Sequence, residues 1–138
     1  MGSILLVEAD AVTSDEWAAA LTTAGHAVLT ASGMREALQQ VREGGIDAVV
    51  IDCYDPRAGV TELARGMEAL PDAPSIILIS GSPAAPEFSA RIGAAIFVPK
   101  PCEPSEVVAA VAQLLGNLRP VRVLVDDDEP SGPTRQLG

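Results

Sequence analysis

The chain has 138 residues, enough for one compact hydrophobic core and short for two. Apolar side chains make up 48% of it and aromatic ones only 3%, which excludes a wholly disordered chain and demands a core of Ala, Val, Leu and Ile, as in helices packed on a buried parallel sheet. A net charge of -10, from 19 acidic against 9 basic side chains, disfavours binding to DNA or to an anionic membrane surface.

Ile4 to Val7 is a continuous apolar run that ends at Glu8, Ala9 and Asp10, the pattern of a buried strand entering a polar loop. A helix follows, with Thr13 or Ser14 as its expected cap, Trp17, Ala20, Leu21 and Ala24 at helical spacing, and Gly25 as its stop. His26 to Thr30 reads as a second strand, with His26 exposed at its start. Ser32 is the expected cap of a second helix, whose Met34, Ala37, Leu38 and Val41 share a face before Gly44-Gly45. Ala48 to Ile51 is the third strand, closed by Asp52, and Val60, Leu63, Met67 and Leu70 mark the next helix. Ile76 to Ile79 is the fourth strand, and Pro83 and Pro86 are expected to delay the short helix marked by Phe88 and Ile92. Ala95 to Val98 is the fifth strand, and Val107, Val108, Val111, Leu114 and Leu115 form a last helical stripe to about Leu118. Strands alternating with helices predict an α/β fold, a doubly wound five-stranded parallel sheet with five helices in a three-layer sandwich.

No apolar run approaches the roughly 20 residues of a membrane span, and Met1-Gly2-Ser3 leads into a strand without the basic region of a signal peptide, so the expected location is cytoplasmic. Cys53, Cys102 and the single His26 have no metal-ligand spacing, which argues against a zinc site and a His-based triad. Cys53 reads as a small buried hydrophobe and Trp17 as packing.

In an open parallel sheet the functional crevice lies beyond the carboxyl ends of the strands. Those ends deliver Glu8, Asp52, Ser80 and Lys100, a set of two acids, a hydroxyl and an ammonium that suits phosphorylation of a carboxylate. Asp52 is the expected nucleophile, and Glu8 would help to hold Mg²⁺, an ion that keeps several waters and takes one or two carboxylates. Ser80 and Lys100 would contact phosphoryl oxygens, and Gly81 would leave room for the group. Lys100 is the only lysine; the other eight basic residues are arginine, whose planar guanidinium is chemically distinct.

The stretches Ile4-Leu5-Leu6-Val7-Glu8, Val49-Val50-Ile51-Asp52 with Pro56 beyond it, Ile79-Ser80-Gly81 and Lys100-Pro101 resemble the receiver domain of bacterial response regulators, the family of the chemotaxis protein CheY, over residues 3 to 118. The resemblance implies Asp52 as phosphoacceptor, Ser80 and Phe97 as switch residues, Lys100 as the essential lysine, a cis Lys100-Pro101 bond and the Tyr54 carbonyl as a ligand of Mg²⁺ beside Glu8 and Asp52. It further implies two-component phosphorelay signalling by protein contact rather than an enzyme acting on a separate substrate, although receivers catalyse their own phosphorylation and dephosphorylation. The partners it implies are a histidine kinase or phosphotransfer protein and a downstream protein target; a second copy of the chain is a further expected partner, through edge pairing of Val121 to Val125.

One position departs from the pattern: Ala9 stands where the family has the second of two adjacent acids, a direct metal ligand. Asp10 is next, but one residue along an exiting strand its side chain points elsewhere. The competing reading is therefore a pseudo-receiver, a phosphorylation-independent interaction module. A haloacid dehalogenase-type phosphatase needs a second Asp where Tyr54 stands, and the chain has no G-x-G-x-x-G, P-loop or G-x-S-x-G motif. Residues 119 to 138 read as a separate tail; within it Val121 to Val125 is a candidate strand, and Val123 to Pro130 looks like the opening strand of another receiver.

Overall fold

A computed structural model describes residues 2 to 55 and 59 to 118. In chain order the elements are β1 (Ser3–Val7), α1 (Ala11–Thr23), β2 (Ala27–Ala31), α2 (Met34–Glu43), β3 (Ala48–Asp52), α3 (Val60–Glu68), β4 (Ser75–Ser80), α4 (Ala85–Arg91), β5 (Ile96–Pro99) and α5 (Pro104–Leu118). The strands form one parallel sheet in the order β2-β1-β3-β4-β5. This is the expected doubly wound α/β sandwich. Pro56 and the candidate strand Val121 to Val125 lie outside the described residues.

Successive strand residues face opposite sides of a sheet, and the two cores follow that alternation. Ile4, Leu6, Ala48, Val50, Ile77, Ile79 and Val98 pack with Trp17 and Leu21 of α1 and with Val107, Val111 and Leu114 of α5. Leu5, Val7, Val49, Ile51, Ile76 and Leu78 pack on the other side with α2, α3 and Phe88 of α4. The central strands β1, β3 and β4 are therefore covered on both faces, which is why they read as unbroken apolar runs.

Local chemistry corrects several expectations. The cap of α1 is Asp10, not Thr13 or Ser14: its carboxylate accepts the Thr13 N–H at 2.9 Å and the Thr13 hydroxyl at 2.6 Å. A short acid just ahead of the first turn satisfies an orphan amide better than a residue already inside the helix. Gly33, not Ser32, is the N-cap of α2; Ser32 instead donates its N–H and hydroxyl to Glu36 Oε1 at 3.1 and 3.3 Å. His26 is half-buried rather than exposed, because its Nδ1 accepts the Gly2 N–H at 3.2 Å, and burial lowers its pKa. Pro86 lies inside the first turn of α4, where its missing N–H costs no helical hydrogen bond. Trp17 is buried and Cys53 half-buried against the α2–α3 core.

Candidate functional site

The alternation that sorts the core also sorts the polar residues at the carboxyl edge. Asp52 continues the Ala48, Val50 side of β3, Glu8 follows Ile4 and Leu6 on the same side of β1, and Lys100 follows Ile96 and Val98 of β5. The three meet. Lys100 Nζ forms an ion pair with Asp52 Oδ1; the Asp52 side chain is 1% exposed and that of Lys100 36%. The Lys100-Pro101 peptide bond is cis. Beyond the Lys100 contact, no other donor among the described residues hydrogen-bonds the buried Asp52 carboxylate, and the Glu8 carboxyl adjoins it. Glu8 is half-buried, and its Oε2 accepts the Asp10 N–H at 2.8 Å. Burial first, then the adjoining Asp52 carboxylate, push the Glu8 carboxyl up to about 7 against the opposing pull of the Asp10 N–H and the Lys100 ammonium.

Two cavities open from this trio. One, of about 400 Å³, lies toward α1 and adds Asp10, Thr13, Glu16, Trp17, Pro101 and Cys102 to its lining. The other, of about 430 Å³, lies toward α2 and adds Val7, Ala9, Ser32, Gly33, Met34, Cys53, Tyr54 and Asp55. Trp17, expected only as packing, is thus also a wall of the first cavity.

Ser80 and Phe97 take the opposite side of the sheet. Ser80 shares the side of Ile76 and Leu78, and is buried without lining either cavity. Its hydroxyl donates to the Tyr54 carbonyl at 3.0 Å and accepts the Ser82 N–H at 3.2 Å. Phe97 is half-buried against the α2–α3–α4 core. The structure therefore brings Glu8, Asp52 and Lys100 together directly, and joins Ser80 to them through the Tyr54 backbone. Nothing in the sequence pattern marks that link. Asp10 is committed to capping Thr13, which holds its carboxyl below its ordinary range, so it does not replace the acid absent at Ala9. Burial pushes the Cys53 thiol up to about 11 and raises that of Cys102, so neither is a ready nucleophile.

Among the described residues no group of three or more carboxylate, thiol or imidazole side chains is gathered around a common metal position. Two carboxylates with a backbone carbonyl nevertheless suit Mg²⁺, which keeps much of its water. The buried Asp52 carboxylate is the hard donor that such an ion needs, and Glu8 and Tyr54 line the same cavity, the Tyr54 carbonyl accepting the Ser80 hydroxyl.

The sequence matches the family described as response regulator receiver domain over residues 4 to 112. It is 29% identical over 119 residues to the response regulator MprA of Mycolicibacterium vanbaalenii, a match that covers 85% of this chain and 52% of that protein. The chain thus spans about half the length of that relative. Among solved structures, a CheY-like receiver domain protein from Methanospirillum hungatei superposes with a TM-score of 0.74 at 23% identity, covering 85% of this chain and 95% of the other. A response regulator, so described provisionally, from Chloroflexus aurantiacus gives a TM-score of 0.74 at 27% identity, covering 83% and 98%. The response regulator TrrA of Thermotoga maritima, solved in complex with Mg²⁺-BeF, gives 0.71 at 24% identity, covering 83% and 99%.

Proposed function

The chain belongs to the response regulator receiver domain family, and from that premise we propose that it accepts a phosphoryl group on Asp52 and signals by protein contact. The observation that carries this reading is the buried Asp52–Lys100 ion pair with a second carboxylate, Glu8, beside it. A carboxylate oxygen of Asp52 attacks phosphorus, the bond from phosphorus to the donor breaks, and the electron pair leaves with the donor nitrogen or oxygen. The Lys100 ammonium moves from the carboxylate to an equatorial phosphoryl oxygen, which gains charge as the carboxylate loses it. Asp52, Glu8 and the Tyr54 carbonyl would hold Mg²⁺, which would supply charge neutralisation between two anions that must meet.

Ser80 serves as a donor to the phosphoryl group only by turning its hydroxyl away from the Tyr54 carbonyl. That rotation, with half-buried Phe97 on the same side of the sheet, couples occupancy of the site to the α3–α4 surface. The donor would be a histidine kinase or a phosphotransfer protein, and the output a downstream protein. A second reading, a pseudo-receiver acting without phosphorylation, is favoured by one observation, Ala9 in place of an acid.

Trp17 is the chain's single tryptophan and lines the cavity that holds Asp52, which makes its fluorescence a reporter of the site. Titration with beryllofluoride, a tetrahedral stand-in for the phosphoryl group, should change that fluorescence only with Mg²⁺ present, and Asp52→Asn should abolish the change. An unaltered signal with beryllofluoride and Mg²⁺ together favours the pseudo-receiver.

A further inference from the structure

The sheet ends at β2, whose outer edge no described strand covers. The Ala27 N–H donates to the Gly2 carbonyl at 3.0 Å and the Ala31 carbonyl accepts the Glu8 N–H at 2.9 Å, so both are turned toward β1. Peptide groups alternate along a strand, and those of Val28 and Thr30 therefore face outward. The Thr30 carbonyl is met by Gln40 Nε2 at 3.1 Å, a side-chain contact that another strand can replace. Leu29 lies on the Leu5 side of the sheet and is 50% exposed, so the edge is apolar as well as open. Such an edge is a template for one more strand.

The crossovers dictate which edge a strand after α5 can take. Connections between parallel strands are right-handed in nearly all proteins. Here α2, α3 and α4 cover one side of the sheet and carry the chain from β2 toward β5, whereas α1 covers the other and carries it from β1 out to β2. Because α5 shares the side of α1, a parallel strand after it belongs at the β2 edge, and one beyond β5 would make a left-handed crossover. The end of α5 agrees: a Cβ on Gly2, the residue before β1, would lie 3.0 Å from Leu115 Cδ1, so the helix finishes beside the amino ends of β1 and β2. Residues 119 to 122 span up to ~14 Å, against about 10 Å for the two strand spacings from β1 past β2 and about 19 Å for the four from β1 past β5. We propose that Val123 to Val125 of the same molecule adds to β2 as a sixth parallel strand, with Val123 beside Ala27, Val125 beside Leu29, and Leu124 on the side of Val28. The added strand covers Leu29 and closes this edge to other chains. Its addition requires no phosphoryl chemistry.

The test follows amide hydrogen exchange in the full chain by NMR at low protein concentration. In a parallel ladder of this register the Val28 and Thr30 N–H groups donate to the Val123 and Val125 carbonyls, and the Val125 N–H donates to the Val28 carbonyl, while the Val123 N–H points away from β2. The Val28 and Thr30 amides should therefore exchange at least about tenfold more slowly than in Val125→Pro, which lacks that donor. Val123→Pro should keep the protection, since a proline is tolerated on an edge strand where its nitrogen faces solvent. The Leu29 amide, turned to β1, should be equally protected in all three proteins and reports an intact sheet. Exchange of Val28 and Thr30 unchanged by Val125→Pro, or equal loss of protection in the two proline variants, overturns the proposal. Protection that rises with protein concentration also overturns it and gives the edge to a second copy of the chain.

Discussion

Burial first, and then the adjoining Asp52 carboxylate, raise the Glu8 carboxyl from 4.5 to about 7. The folded chain then holds a proton that the unfolded chain releases near 4.5, so the folded state binds more protons between those values. The contribution of Glu8 to stability is complete below about 4.5 and is lost as pH rises toward 7. Thermal melting of the metal-free protein should therefore show a melting temperature that falls over this window. In Glu8→Gln the fall should be absent, and its melting temperature at pH 8 should exceed that of the parent by several degrees. Equal slopes in the two proteins would show that Glu8 ionises at no cost. At this scale the polar residues at the strand ends were legible, because Glu8, Asp52, Ser80 and Lys100 each follow an apolar run. Their grouping was legible only through strand parity, which puts Glu8, Asp52 and Lys100 on one side and Ser80 and Phe97 on the other. Where Ser80 then directs its hydroxyl depends on the Tyr54 backbone, which periodicity does not describe.

The packing of α2 on α3 turns on one glycine. A Cβ at Gly66 would sit 2.6 Å from Leu38 Cδ1 and 3.0 Å from Cδ2, so the helices approach through the missing side chain. Gly66→Val should lower stability by about 1–3 kcal/mol, the usual cost of overpacking, and Leu38→Ala in the same chain should recover part of it. Chemical denaturation of the two single variants and the double variant measures the coupling; strictly additive losses would mean that the two residues do not meet. Helix and strand identity followed from periodicity, whereas the cap moved by one residue at α2 and by three or more at α1, because caps are decided by single side chains. Thr13 could cap α1 by type, yet Asp10 does so because its carboxylate reaches back to the first-turn N–H of Thr13 itself. Asp10→Ala should accordingly lower the melting temperature without altering the response to Mg²⁺, since that carboxylate is turned toward the helix. A weakened Mg²⁺ response in Asp10→Ala would show that Asp10 reaches the metal.

Across the whole molecule, alternation of buried strands with amphipathic helices makes the doubly wound sheet readable, because a parallel sheet covered on both faces leaves few other arrangements of these elements. That architecture carries Asp52 to the carboxyl edge of the sheet, and in the proposed function Ala9 would set how well a cation is held there. Ala9→Asp should bind Mg²⁺ about tenfold more tightly, as judged by thermal stability against Mg²⁺ concentration, while the metal-free variant melts lower through repulsion with Glu8 and Asp52. Equal Mg²⁺ affinity in the two proteins would mean that Ala9 costs the site nothing. The most direct measurement of the central claim is intact mass after incubation with acetyl phosphate and Mg²⁺. The account predicts the gain of one phosphoryl group in the unmodified chain and none in Asp52→Asn; no gain in the unmodified chain, or a gain that survives in Asp52→Asn, would contradict it.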